Sequence, residues 1–168
     1  MKKIAISFAL ILMSIMTMNA QGKRYQGELL LGGVMGLNQN FGSRTEFCTT
    51  HGVIFDGRTF VGAGFGVNCD FAGSFEVPLY GSFSQSFPLS NYLVLGMGTS
   101  TGICMNQDED FALYLAPEIS FQISRVKFFF KYTYRNYLQG VTGGNEFRYD
   151  TSRLQCLSAG IGFIFGKK

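Results

Sequence analysis

His51 is the single histidine of the chain, and imidazole can act as a base, a proton shuttle or a metal ligand. A metal site needs several His, Cys or carboxylate ligands converging, and none is spaced to join His51 locally. Acyl-ester chemistry needs a nucleophile, a base and an orienting group in mutual reach. The His-x-Ser spacing of acyl-chain deacylases reads His51-Gly52-Val53 here, so that nucleophile is absent. Gly62-Ala63-Gly64-Phe65-Gly66 has the glycines of a phosphate-cradling loop, but such loops join a strand to a helix and no helical periodicity follows. Asp108-Glu109-Asp110 lacks the spaced ligands and closing Glu of an EF-hand and reads as a solvated loop. No catalytic, cofactor-binding or metal-binding residue is assigned.

Four cysteines are a different matter, because their chemistry depends on compartment. Lys2 and Lys3 precede an apolar run from Ile4 to Met18 that ends near Asn19-Ala20. A basic start, a short apolar core and a small residue at the cut describe a secretory signal peptide. The sequence therefore predicts a signal over 1–20 and a mature domain over 21–168. Without Lys2 and Lys3 the basic count falls from 14 to 12 against 11 acids, which leaves no basic patch for nucleic acid. Export favours disulfides over metal for Cys48, Cys69, Cys104 and Cys156, and four cysteines permit three pairings.

The mature chain carries these residues on strands. Only 15% of the chain is charged, with 22 Gly, 18 Phe and 8 Tyr, and this is too apolar for disorder. Period-2 alternation runs through Tyr25–Asn38, Arg44–Phe55, Arg58–Asn68, Glu76–Phe87, Asn91–Met105, Phe111–Ser124, Arg125–Leu138 and Arg153–Gly166. In the sixth segment Phe111, Leu113, Leu115, Ile119, Phe121 and Ile123 share one face, opposite Ala112, Tyr114, Glu118, Ser120 and Gln122. The seventh sets Val126, Phe128, Phe130, Tyr132 and Tyr134 against Lys127, Lys131, Thr133 and Arg135. Segments of this length cross a bilayer when tilted.

Tight turns at Asp56-Gly57, Pro88-Leu89-Ser90 and Ser124-Arg125 alternate with longer links at Gln39–Ser43, Cys69–Phe75, Asn106–Asp110 and Gln139–Ser152. Short connections on one rim and long ones on the other are the habit of an outer-membrane barrel. The fold predicted is all-β: an eight-stranded, antiparallel, up-and-down transmembrane barrel, with Gln139–Ser152 as its largest external loop. A soluble lipocalin-like barrel is the alternative, but it would turn its apolar stripes inward and keep a charged outside.

The ending Leu157-Ser158-Ala159-Gly160-Ile161-Gly162-Phe163-Ile164-Phe165-Gly166, with the repeated Gly-aromatic strands before it, resembles the small outer-membrane β-barrel domain proteins of Gram-negative bacteria. The resemblance implies the outer membrane, its lipid, and the insertion machinery that reads a C-terminal aromatic; Phe165 stands three residues from the end.

With the strands in place, a two-residue turn at Ser124-Arg125 sets Gln122 opposite Lys127, Glu118 opposite Lys131 and Tyr114 opposite Arg135. Glu118 and Lys131 are thereby expected to form a charge pair in the lumen. Cys69 and Cys104 fall at the outer rim and are the preferred disulfide candidates. Cys48 and Cys156 lie two strands apart, roughly 9–10 Å, beyond the ~7 Å reach of a disulfide. An eight-stranded barrel is filled by its own side chains, so the expected role is structural or surface-interactive, through the outer loops, and no cofactor is implied. A lipid-modifying enzyme is the second reading, and polar groups clustered around His51 at one rim would favour it.

Overall fold

The computed structural model describes residues 24–37, 43–70, 73–107, 111–143 and 146–166, with backbone alone over 137–152. The segment 1–20 and the expected cut after Ala20 lie outside the described residues, as do Asp108, Glu109 and Asp110. Eight strands follow in order: β1 (Arg24–Gly36), β2 (Arg44–Phe55), β3 (Thr59–Asp70), β4 (Phe75–Pro88), β5 (Leu93–Asn106), β6 (Phe111–Ile123), β7 (Val126–Gly143) and β8 (Glu146–Phe165). Each pairs antiparallel with the next, and β8 returns to β1 to close the barrel. Closure leaves no sheet edge, so the wall's N–H and C=O groups are paired without water.

Alternation decides the two faces. On β6, Phe111, Leu113, Leu115, Ile119, Phe121 and Ile123 are all exposed, whereas Ala112, Tyr114, Ala116 and Ser120 are buried. The belt continues through Phe128, Phe130, Leu157, Ile161 and Phe163 on β7 and β8 and through Leu29, Leu31 and Met35 on β1. Apolar residues outside and charges inside invert the soluble-barrel pattern, as the lipid-crossing reading expects.

Residues 56–58, 89–92 and 124–125 join strands at the turn end. The opposite, loop end carries 37–43, 71–74, 107–110 and 144–145. Asp56 (φ 52) and Gly57 (φ 67) both take left-handed backbone, the requirement of a tight hairpin turn. Ser124 (φ 57) does so at the first position of the β6–β7 turn, a backbone conformation that brings the Cβ of any L-residue close to the following carbonyl oxygen. A left-handed non-glycine residue costs about 1–2 kcal/mol and glycine's extra unfolded freedom about 0.5–1. Ser124→Gly is therefore expected to stabilise the barrel by about 0.5–1 kcal/mol in urea unfolding, and a loss of stability would refute the turn geometry.

Two prolines interrupt the ladder without ending their strands. Rungs between β3 and β4 skip from Phe65↔Leu79 to Asn68↔Glu76 around Pro78. Between β6 and β7 they skip from Leu115↔Tyr134 to Glu118↔Lys131 around Pro117. Proline has no N–H to donate, so each gap falls where a rung needs one.

The expected loop Gln139–Ser152 is corrected. β7 and β8 continue as a hairpin with rungs from Leu138↔Thr151 to Gly143↔Glu146, leaving only 144–145 between them. Its glycines suggest a loop, but Val141, Thr142, Phe147 and Tyr149 are strand formers. Antiparallel pairing also satisfies backbone groups that an open loop would leave to solvent.

Candidate functional site

The site of interest is the lumen, and β7 supplies three of its four paired cations. Inward parity puts Lys127, Phe129, Lys131, Thr133 and Arg135 on one line, all buried. Small residues face them from β8, where Ser158, Gly160 and Gly162 stand opposite Lys131, Phe129 and Lys127. Long side chains on β7 can therefore reach past β8 to more distant strands.

Carboxylates arrive from four other strands. Lys127 Nζ lies 2.8 Å from Glu28 on β1 and 2.7 Å from Glu118 on β6. Lys131 Nζ lies 2.8 Å from Glu46 on β2. Arg135 pairs with Glu76 on β4, and Arg44 on β2 closes on the other oxygen of Glu76 at 2.7 Å. Four acids thus meet four cations in these pairs, and the network is neutral. Neutrality matters because an unpaired ion in a low-dielectric interior costs several kcal/mol.

The pairs do not follow the hydrogen-bonded rungs; they follow the tilt of the wall. The rung through Lys127 passes Gly162 to Leu30, yet its partner on β1 is Glu28, two residues nearer the turn end. Lys131 shows the same offset, since its row runs through Ser158 and Val34 to Arg44 but its partner is Glu46. In the other direction the row of Arg135 runs through Tyr114 and Gly102 to Tyr80, and its partner Glu76 is four residues nearer the loop end. Strands in a closed barrel tilt by about 35–45°, so rung partners stand at different heights in the lumen. Residues at equal height meet across it.

Aromatic rings fill the space that charges leave. Phe129 is fully buried, lies in one row with Gly160 and Gly32, and has Lys131 Nζ 5.5 Å from its ring centroid. A side chain on Gly32 would strike that ring and the Ala159 carbonyl. Tyr80 and Tyr114 stack at 5.7 Å between centroids, and the Tyr80 hydroxyl lies 3.0 Å from Thr50 Oγ1.

No protein-family profile and no curated protein matches the chain. Among solved structures, Neisserial surface protein A is similar at a TM-score of 0.56, with 12% identity over 86% of this chain and 98% of that one. A de novo designed transmembrane β-barrel matches over 84% and 95% of the two chains at 14% identity and TM-score 0.49. The N-terminal β-barrel domain of OprF from Pseudomonas aeruginosa matches over 83% and 97% at 10% identity and TM-score 0.42. The fold is that of a transmembrane β-barrel.

In this transmembrane barrel Glu118 and Lys131 do stand opposite each other on the β6–β7 ladder, with Gln122↔Lys127 and Tyr114↔Arg135 as the register requires. Their expected ion pair is corrected. Glu118 takes Lys127 and Lys131 takes Glu46, because wall tilt separates the two in height. The expected Cys69–Cys104 disulfide is also corrected, and no disulfide joins any of the four cysteines. β3 runs on to Asp70, so Cys69 is a strand residue on its exposed face, whereas Cys104 on β5 is buried in the lumen. With β4 between them and the wall separating their side chains, the sulfurs cannot meet.

His51 lies on the outer face near the turn end of the transmembrane barrel. The Tyr25 hydroxyl is 2.6 Å from Nδ1, and Thr49 Oγ1 is 2.9 Å from Nε2. Gly27, between His51 and Phe165 on the ladder, leaves room for their rings to meet edge-on at 5.9 Å. Among the described residues no three metal-ligating side chains converge.

Sequence reasoning missed Glu28, Glu46, Glu76, Arg44 and Phe129 as lumen residues. A signal existed for two of them: Glu28 alternates with Leu29 and Leu31, and Glu46 with Phe47, all three exposed.

Proposed function

We propose that this chain is a small barrel of the bacterial outer membrane with a structural or surface-interaction role, its lumen closed rather than conducting. One observation carries this reading. Among the described residues, four lumen acids and four lumen cations are paired with one another across the barrel, and the space between them holds buried aromatic rings. Ions would have to break buried pairs to pass. Outer-membrane lipid is the partner of the apolar belt, and the insertion machinery meets β8 through Phe165. The loop end faces outward in this reading, so the β7–β8 hairpin is the element best placed to meet a surface ligand.

Purified monomer in planar bilayers is expected to show no porin-sized conductance steps, and reproducible large steps would overturn the closed-lumen reading. Protease added to intact cells should cut within 139–152 before the Asp56-Gly57 turn. The reverse order would invert the orientation.

The hydrogen-bonded Thr49–His51–Tyr25 chain favours a second reading, a lipid acyl hydrolase. Thr49 Oγ1 would attack an ester carbonyl while His51 takes its proton. As the ester C–O bond breaks, His51 would return that proton to the departing alcohol, and water would then hydrolyse the acyl-threonine to the free acid. Against it, Thr49 is 7% exposed. Fluorophosphonate labelling of Thr49 that disappears in His51→Ala would establish the enzyme. No labelling is expected for the closed structural barrel.

A further inference from the structure

The neutrality of the lumen network leaves two turn-end cations without work. Arg24 begins β1, and Arg125 follows Ser124 in the β6–β7 turn; both are exposed. Neither guanidinium has a hydrogen bond or ion pair among the described residues, and the lumen acids already have their cations. Between the two lies a recess of about 160 Å³ at the turn-end mouth, lined by Arg24, Gln26, Gln122 and Arg125 over Ile54 and Ile164. Among the described residues no carboxylate lines it. The neighbouring amides are held, because Gln26 Nε2 donates to Glu28 at 2.9 Å and Gln122 Nε2 donates to the Ser124 carbonyl at 2.7 Å. Two like charges at one cavity repel each other until an anion sits between them. A guanidinium is a planar fork whose N–H pairs match the oxygens of a phosphate.

We propose that Arg24 and Arg125 form an oxyanion site for a phosphate group at the turn-end mouth of the lumen. Two sources supply that chemistry: a phospholipid headgroup at the rim, or free phosphate entering from water. The site is independent of whether the loop end faces outward.

The test uses the refolded full barrel and its Arg24→Gln, Arg125→Gln and double variants, with folding checked by heat-modifiable gel mobility. One arm titrates inorganic phosphate in a zwitterionic detergent at physiological ionic strength and reads binding by calorimetry. The other measures phosphatidylglycerol retained from mixed phosphatidylglycerol–phosphatidylcholine nanodiscs by native mass spectrometry. In at least one arm the wild type is expected to bind, with each single variant at least tenfold weaker and Arg125→Lys intermediate. Binding in the first arm alone assigns free phosphate, and in the second alone a headgroup; binding in both supports a shared phosphate site. Arg58→Gln, on a neighbouring turn outside the recess, should leave binding unchanged. Equal loss in Arg58→Gln would mean diffuse rim charge and overturn the site, as would wild type and double variant that match in both arms.

Discussion

Lys131→Met is expected to cost the barrel about 3–5 kcal/mol in urea unfolding from lipid vesicles, the range for removing one partner of a buried ion pair. Lys131 is 5% exposed and its Nζ sits 2.8 Å from Glu46, so the variant strands a carboxylate in the lumen. Glu46→Gln should cost a similar amount by stranding the ammonium. Combining the two should cost less than their sum, with a coupling of about 1–3 kcal/mol, because neither charge is then left alone. Glu118→Gln combined with Lys131→Met separates the two pairing schemes. Glu118 has Lys127 as its cation, so its loss should add to that of Lys131 with little coupling. Strong Glu118–Lys131 coupling with none between Glu46 and Lys131 would show that pairs follow the ladder rungs and that the tilt account is wrong.

Phe129→Ala should destabilise the barrel comparably, by about 3–5 kcal/mol, through lost packing and the cavity left behind. The ring is fully buried beside Gly160 and Gly32 and beneath the Lys131 ammonium. Relaxation cannot close the gap from below, because a closed ladder holds β7, β8 and β1 at fixed spacing. Refilling it with a methyl group on Gly160 should also fail, since that group would strike the Leu31 carbonyl and the Gly32 backbone. Phe129→Leu should recover part of the loss. The urea midpoint and the heat-modified gel shift read all three variants, and a Phe129→Ala midpoint within error of wild type would place the ring outside the lumen core.

Much of this protein follows from local rules that a sequence carries in itself. Side chains alternate with period 2 in any strand, so Phe111, Leu113 and Leu115 must share a face, and they are exposed together. Turn chemistry sets the hairpin register, and a two-residue turn at Ser124-Arg125 suffices to place Glu118 opposite Lys131. Connection lengths separate the turn end from the loop end in the same way. Failures begin where composition substitutes for pairing. Gly143 and Gly144, with Thr and Asn around them, suggest a loop, yet β7 and β8 pair to Gly143↔Glu146. Cys69 reads as a loop residue, but one more turn of alternation carries it to the outer face.

The lumen site is the part that only the closed structure decides. Glu28 and Lys127 are 99 residues apart, Glu46 and Lys131 are 85, and Arg135 and Glu76 are 59. No local pattern connects them. Alternation says that each faces inward, and register says which residue stands on the next rung. Neither says which residues stand at equal height, because height depends on how far the sheet shears before β8 meets β1. That shear belongs to the closed barrel as a whole, and it gives Lys131 to Glu46 and leaves Glu118 to Lys127.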